Sequence, residues 1–226
     1  MRADARLAGR LRGLYAITPE TPDTEALVAR VAAALEGGAA LVQYRAKNAA
    51  SELALAQARR LRVLCRAFDA PFIVNDSLAL ALAVEADGLH IGRDDGDLPA
   101  TRAALPGRLL GVSCYADPEL ARYAAREGAD YIGIGSVFAS STKPGAPRAA
   151  LEVLGAARAS GGIPVAAIGG ITSANAALAV AAGADMLAVI SALFDAPDVR
   201  AAARDFARHF PHDENSRNAR AQPATL

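Results

Sequence analysis

The stretch from residue 131 to residue 145 combines residue types that suit an anionic ligand. An apolar run is followed by small residues, hydroxyls, a lysine and a Pro-Gly turn signal. Small residues let backbone N–H groups approach a ligand, hydroxyls donate hydrogen bonds, and lysine adds a point charge. The pattern indicates a phosphate site at the end of a buried strand, with an ordinary polar loop as the alternative. Its polar members are Ser140, Ser141, Thr142 and Lys143.

A second set of polar residues alternates along the chain at Gln43, Arg45 and Lys47. The apolar residues before them are typical of a strand, and side chains two residues apart in an extended segment share one face. One amide and two cations on a common face would suit a polyphosphate. A solvated surface face is the other interpretation of this spacing.

Carboxylates follow two further apolar runs. Asn75 and Asp76 end one run, and Asp94, Asp95 and Asp97 follow the next. Mg²⁺ is commonly held by one or two carboxylates together with waters and substrate phosphates, so these residues predict a magnesium site. At least one of the three later aspartates is expected only to cap a helix or to form a turn.

The sequence shows no Ser–His–Asp or Cys–His set. His90 lies within an apolar run and is interpreted as a structural group, while His209 and His212 lie near the chain end and are expected at the surface. A site that holds phosphates and a metal without an evident base suits the departure of a diphosphate. Its developing charge would be stabilised electrostatically.

Eight short apolar segments alternate with helical patterns and could bring these residues together. They span residues 14–18, 41–45, 72–76, 88–91, 109–112, 131–134, 164–168 and 186–190. Short strands that are apolar on both faces predict a parallel sheet. A weak repeat at every second strand fits an eightfold barrel, and no GxGxxG fingerprint follows the first strand. We therefore predict a single (β/α)8 TIM barrel with its site at the C-terminal strand ends.

Composition narrows the classes of partner. The 226 residues carry 24 Lys+Arg and 24 Asp+Glu, and no basic block indicates nucleic acid. No apolar run reaches membrane-spanning length, and residues 1–12 lack the core of a signal peptide. The two cysteines show no metal or disulfide spacing. We expect a cytoplasmic protein with a flexible arm at 1–12, a barrel domain at 13–210 and a disordered tail at 211–226. Homo-oligomerisation is left open.

Seven segments carry a more specific signal when they are taken in chain order. They are Gln43-Tyr-Arg-Ala-Lys47, Val74-Asn-Asp-Ser77, Gly88-Leu-His-Ile-Gly-Arg-Asp-Asp95, Gly111-Val-Ser113, the stretch from Gly128 to Pro144, Ala167-Ile-Gly-Gly-Ile171 and Val189-Ile-Ser-Ala192. The set resembles the thiamine-phosphate synthase family over nearly all of residues 13–210. The resemblance implies a TIM-barrel transferase that joins hydroxymethylpyrimidine diphosphate to a thiazole phosphate, or its carboxylated form. The products would be thiamine monophosphate and diphosphate, by a dissociative, Mg²⁺-assisted reaction.

The resemblance also implies a role for individual positions. The pyrimidine diphosphate would be bound by Gln43, Arg45, Lys47, Asn75, Ser113 and Lys143. Of these, the catalytic residues would be Arg45, Lys47, Ser113 and Lys143. The thiazole phosphate would be bound by Ser140, Ser141, Thr142, Gly170, Ile190 and Ser191. Asp76 and Asp95 would bind Mg²⁺.

The chain departs from the family pattern at a few positions. Arg93 stands where Gln is usual, Asp94 where Glu is common, Ser140 where Thr is frequent, and Tyr115 where many members carry His. Two other functions are considered. A thiazole tautomerase of the same superfamily should lack the paired carboxylates and the full polar clamp. A non-catalytic phosphate-ligand binding protein, such as a sensor, would use the same rim as an enzyme.

Overall fold

The computed structural model describes residues 3–93, 95–139, 145 and 147–210. Within them, eight parallel strands close into a barrel in chain order, and β1 pairs with both β2 and β8. The strands are Gly13–Ile17 (β1), Leu41–Tyr44 (β2), Phe72–Asn75 (β3), Gly88–Ile91 (β4), Leu109–Tyr115 (β5), Tyr131–Gly135 (β6), Val165–Ile168 (β7) and Met186–Val189 (β8). The predicted (β/α)8 TIM barrel is confirmed.

Helices precede the first strand, connect successive strands and follow the last strand of the barrel. Those in the described residues are Ala5–Ala8 (α1), Thr24–Glu36 (α2), Ser51–Ala67 (α3), Leu78–Ala83 (α4), Leu98–Ala104 (α5), Pro118–Arg126 (α6), Glu152–Gly161 (α7), Ala176–Ala181 (α8), Ser191–Phe194 (α9) and Val199–Ala207 (α10). Aspartates begin several of them because a carboxylate can accept from the free N–H groups of the first turn. Asp23 and Asp117 cap α2 and α6, and Asp97 caps α5, as expected for part of the aspartate cluster.

Two predicted helix starts are wrong. A serine before a helical pattern is a common cap, so the sequence predicts that Ser51 caps the helix after β2 and that Ser173 caps the helix after β7. Ser51 is instead the first residue of α3, and the residue before it makes no side-chain cap. The helix after β7 begins at Ala176 rather than near Ser173. Its start is delayed because Asn175 closes a turn, with its Oδ1 accepting from the Thr172 N–H at 2.8 Å.

The apolar core has two parts. One lies between strands and helices, where strand residues such as Leu14, Val42 and Val74 are fully buried. The other fills the barrel interior. Its members are Leu7, Leu11, Tyr15, Ile17, Leu41, Ile73, Leu109, Tyr131, Ala166, Met186 and Ala188. The interior is therefore a packed core rather than a pore, and ligands can enter only above it.

The N-terminal segment differs from the flexible arm that the sequence predicted. The Ala3 N–H donates to Asp130 Oδ1 at 3.1 Å, and the Asp4 N–H donates to the Gly107 carbonyl at 3.1 Å. Leu7 and Leu11 are 8% and 3% exposed and belong to the interior core. Residues 3–12 thus pack where the strands begin, at the end of the barrel opposite the C-terminal strand ends. The predicted tail at 211–226 lies outside the described residues.

None of the described helices is both long and apolar enough to cross a membrane. The longest of them, α3, has 17 residues and carries several charges. Cys65 and Cys114 are buried free thiols.

Candidate active site

A cavity of about 380 Å³ opens at the C-terminal ends of the strands. Most of the predicted site residues line it. They are Gln43, Arg45, Lys47, Asn75, Asp76, Asp95, Ser113, Gly170, Ile190 and Ser191. The remaining predicted site residues, Ser140, Ser141, Thr142 and Lys143, lie outside the described residues. The barrel thus gathers polar groups from distant parts of the chain at one end.

The alternating residues of β2 and its loop lie along one wall of the cavity. Gln43 is the deepest and is 2% exposed, whereas Lys47 lies at the mouth. Arg45 lies between them, and its backbone N–H donates to Thr18 Oγ1 at 3.0 Å, which joins the ends of β1 and β2. The Thr18 side chain therefore holds in place the segment that carries the two cations.

A pair of carboxylates faces these cations. Lys47 Nζ lies 2.9 Å from Asp76 Oδ2. The Asp76 backbone N–H donates to the His90 carbonyl at 2.8 Å, and Asp95 Oδ2 accepts from the Gly92 N–H at 2.8 Å. Partial burial raises the pKa of Asp76 and the neighbouring Asp95 carboxyl adds to the rise, while Lys47 opposes it.

The carboxylate pair is suited to a divalent cation. Two carboxylates held together repel each other when both are ionised, and a cation between them removes that repulsion. In the described part of the chain, no group of three or more His, Cys, Asp or Glu residues could cage a metal. Two carboxylates with open positions match the way Mg²⁺ is held jointly by a protein and by substrate phosphates.

The opposite wall of the cavity is formed by the turn after β7. Gly169 and Gly170 have φ of 97° and 62°, conformations that residues with a Cβ rarely adopt. A Cβ on Gly170 would overlap the Ala139 carbonyl oxygen, so the turn lies directly against the β6 loop. Asn175 Nδ2 donates to the Gly170 carbonyl at 2.9 Å and fixes the turn from below. This wall therefore offers backbone rather than side chains to a ligand.

A buried polar chain that the sequence analysis missed runs beneath the cavity. Gln43 Nε2 donates to the Tyr15 hydroxyl at 2.7 Å, and the Tyr15 and Tyr131 hydroxyls are 2.6 Å apart. His90 lies 3.1 Å from the Tyr131 hydroxyl through Nδ1 and 2.9 Å from Ser113 Oγ through Nε2. The interpretation of His90 as a hydrogen-bonded group is thus correct, but it also lines the cavity.

Burial controls the charge state of this chain. It lowers the pKa of His90 to about 4, against a smaller opposing effect of the Asp95 charge. It also raises the pKa of Tyr15 and of Tyr131 well above 10. At neutral pH the imidazole and both phenols are therefore uncharged, and the chain can position groups but adds no net charge to the cavity.

Arg93 stacks on Tyr115, and both residues depart from the family pattern. Its guanidinium lies 5.0 Å from the centroid of the Tyr115 ring. Tyr115 lines the cavity with a φ of 55°, a left-handed conformation uncommon for a residue with a large side chain. The stacked pair forms part of the rim between β4 and β5.

The protein is a TIM barrel. Its cavity has cations and carboxylates on one wall and glycine backbone on the other, an arrangement that suits phosphorylated ligands. Residues 14–193 match the family model described as thiamine monophosphate synthase. The chain belongs to that family.

Individual relatives agree with the family assignment. The chain is 57% identical to the thiamine-phosphate synthase of Aromatoleum aromaticum over 86% of its own length and 95% of that protein. It is 54% identical to the thiamine-phosphate synthase of Thiobacillus denitrificans, over 88% and 94% of the two chains. Among solved structures, thiamine phosphate pyrophosphorylase from Pyrococcus furiosus superposes with a TM-score of 0.80 at 40% identity, covering 90% of this chain and 96% of that one.

Proposed function

We propose that the protein is a transferase that makes thiamine monophosphate. It would join hydroxymethylpyrimidine diphosphate to a thiazole phosphate, or to the carboxylated form of that phosphate, and release diphosphate, with the carboxyl group of the carboxylated form leaving as carbon dioxide. The observation that carries the proposal is the 57% identity to a thiamine-phosphate synthase over nearly the whole of that relative. The arrangement of the cavity, with two chemically different walls, supports it.

The diphosphate is assigned to the wall that carries the cations. Arg45 and Lys47 would contact its oxygens, with Asn75 and Ser113 as hydrogen-bonding neighbours and Gln43 at the pyrimidine end. Arginine offers a planar fork that can contact two phosphate oxygens at once. Lys143 is assigned to the same group, although it lies outside the described residues. Arg45, Lys47, Ser113 and Lys143 are the proposed catalytic residues because they would face the charge that grows on the leaving group.

Asp76 and Asp95 would hold Mg²⁺ beside the diphosphate. The bound ion would supply a positive charge that stabilises the leaving group. Lys47 forms an ion pair with Asp76, so it would link the metal ligands to the diphosphate. Partial burial is the largest cause of the raised pKa of Asp76, and a cation bound beside the pair would favour the ionised carboxylates.

The thiazole phosphate is assigned to the opposite wall. Gly170, Ile190 and Ser191 line the cavity there, on the loops after β7 and β8. Loops at these positions often bind phosphate in TIM barrels. Ser140, Ser141 and Thr142 are proposed to complete the site from the β6 loop.

The chemistry requires no base from the protein. The bond between the pyrimidine methylene carbon and the diphosphate oxygen breaks, and its electron pair leaves with the diphosphate. The lone pair of the thiazole nitrogen then forms the new C–N bond with the cationic pyrimidine. Because that nitrogen carries no hydrogen, no proton must be removed, which agrees with a neutral, buried His90. The chain's task is to orient both substrates and to stabilise the leaving group.

A turnover assay with both substrates and Mg²⁺ tests the proposal. Thiamine monophosphate and diphosphate should form in equal amounts, and neither should form when one substrate is omitted. Arg45→Ala should lower turnover by about a hundredfold or more, the usual cost of one such donor. Arg59→Ala, which removes an exposed arginine from α3, should not.

Other outcomes would point to the alternative functions. Isomerisation of a thiazole phosphate without the pyrimidine substrate would indicate a tautomerase. Binding of both ligands without product would indicate a sensor. Localisation in the cytoplasm stays a prediction from the sequence.

A further inference from the structure

The positions of the non-hydrogen atoms leave one property of the buried polar chain beneath the cavity open, namely which group donates and which accepts in each hydrogen bond. Tyrosine and serine hydroxyls can each donate one hydrogen and also accept, and a neutral imidazole donates from one nitrogen and accepts at the other. The direction therefore decides whether Ser113 donates its hydrogen to His90 or has it free for a ligand.

The first group of the chain sets the direction. The Gln43 amide nitrogen can only donate, and it donates to the Tyr15 hydroxyl oxygen at 2.7 Å. The hydrogen of Tyr15 is then available to Tyr131, 2.6 Å away. If Tyr131 donated to Tyr15 instead, the Tyr15 hydrogen would have no acceptor among the described residues, and an unsatisfied buried donor is costly.

Each further group that accepts a hydrogen bond likewise donates its own hydrogen to the next group. Tyr131, which accepts from Tyr15, must place its own hydrogen on Nδ1 of His90. The imidazole hydrogen is then on Nε2 and is donated to Ser113 Oγ at 2.9 Å. Ser113 is left with its hydroxyl hydrogen free, and its side chain lines the cavity.

We propose that Gln43, Tyr15, Tyr131 and His90 form a hydrogen-bond relay that fixes the Ser113 hydroxyl as a donor into the cavity. Its acceptor would be an oxygen of the diphosphate, a step that rests on the proposed function. Tyr15, Tyr131 and His90 are positioning residues in this relay, because they act through Ser113. The relay orders a dipole before the ligand arrives, which is the form of stabilisation that requires least rearrangement during the reaction.

Two glycines leave the space that the relay occupies. A Cβ on Gly111 would overlap the Tyr131 ring and crowd Nδ1 of His90, and a Cβ on Gly133 would lie 3.4 Å from the His90 ring. Neither glycine has a positive φ, so backbone conformation does not account for them. Because they have no side chain, they leave room for the contact between His90 and Tyr131 in the interior of the barrel.

The tautomer of His90 tests the direction of the relay. The chain has three histidines, so full-length protein with His209→Gln and His212→Gln keeps His90 alone. Nitrogen-15 NMR of the labelled imidazole should show the hydrogen on Nε2 and a bare Nδ1. A hydrogen on Nδ1, or an even mixture of tautomers, would overturn the relay whatever the activity of the protein.

Removal of one hydroxyl tests the consequence for binding. Tyr131→Phe interrupts the relay and keeps the ring, so inorganic diphosphate with Mg²⁺ should bind about tenfold more weakly in calorimetry, a usual size for a hydrogen bond to a charged group. Tyr44→Phe is the matched control. It removes another buried hydroxyl, one that donates to Gln57 Oε1 at 2.8 Å away from the cavity, and it should leave the affinity unchanged.

A double-mutant cycle shows whether the effect passes through Ser113. In a Ser113→Ala background, Tyr131→Phe should cause no further loss of affinity, whereas additive losses would overturn the relay. His90→Gln, whose amide can donate from near the Nε2 position, should retain more affinity than His90→Ala. Equal losses in these two variants would also count against the relay. If the unchanged protein bound no diphosphate, the proposed function would fail, and the tautomer alone would decide the relay.

Discussion

Gly170→Ala should damage both the stability of the protein and one half of its site. The residue has a φ of 62°, and the left-handed conformation costs a residue with a Cβ about 1–2 kcal/mol. The new Cβ would also overlap the Ala139 carbonyl oxygen, and neither backbone segment can rotate away as a side chain could. We expect the free energy of unfolding to fall by at least about 2 kcal/mol, which lowers Tm by about 4–8 °C in a protein of this size.

Gly162→Ala separates the two causes. Gly162 ends α7 with a φ of 64°, and a Cβ there would meet no heavy atom within 4 Å. The variant therefore carries the conformational cost alone, about 1 kcal/mol and about 2–4 °C in Tm. The difference in stability between the two variants measures the overlap at the β7 turn.

Kinetics then test the assignment of the β7 turn to the thiazole phosphate. Gly170→Ala should raise KM for the thiazole phosphate about tenfold or more and leave KM for the pyrimidine diphosphate nearly unchanged. Gly162→Ala should change neither. A Gly170→Ala protein that matched Gly162→Ala in Tm and kept its thiazole KM would refute the reasoning. A change confined to the pyrimidine KM would show that the two ends of the cavity are assigned the wrong way round.

Three further outcomes are expected. Asp95→Asn should lower turnover far more than stability, because Asp95 is exposed; near-normal turnover at saturating Mg²⁺ would remove it from the proposed metal site. Asp130→Asn should lower the free energy of unfolding by about 3–5 kcal/mol, because it leaves the buried guanidinium of Arg102, 3.0 Å away, without its counter-charge. A fall in Tm of less than about 2 °C, which corresponds to about 1 kcal/mol, would contradict this. His90 has its pKa lowered to about 4, so its contribution to stability is complete above pH 6.5 and is lost as the pH falls towards 4. In metal-free urea titrations the loss should amount to about 3 kcal/mol relative to His90→Gln. A difference that did not vary with pH would show that the pKa of His90 is the same in the folded and unfolded protein, so that burial does not lower it.

The barrel could be predicted because each strand carries its own signal. Eight runs such as the one at 186–190 are short and apolar on both faces, and a helix stop precedes every second one of them. Local signals also predicted that one of the aspartates at 94, 95 and 97 caps a helix, as Asp97 does, because a cap depends only on neighbours in the chain. Most predictions that depend on one segment at a time were therefore accurate, and the helix starts at Ser51 and Ser173 are the exceptions.

The N-terminal segment could not be predicted in this way. Residues 3–12 are rich in arginine, and only Leu7 and Leu11 are large and apolar. Their packing follows from the open lower end of the barrel, which supplies both an apolar surface and the buried Asp130 carboxylate. A segment that is ordered by a partner more than a hundred residues away carries no periodic pattern of its own.

The candidate site was also predictable only in part. The alternation of side chains along a strand placed Gln43, Arg45 and Lys47 on one face, and the same alternation could have placed His90, which pairs with Asn75 across β3 and β4. Alternation along one strand does not show which residues of other strands a side chain contacts. His90 is linked to Ser113 and Tyr131 because β4 pairs with β5 and β5 pairs with β6, and the sequence of a single strand does not show that contact. Interior polar residues of a barrel should therefore be interpreted as a layer spanning neighbouring strands, since a lone histidine in one strand can be the link between a buried network and the cavity above it.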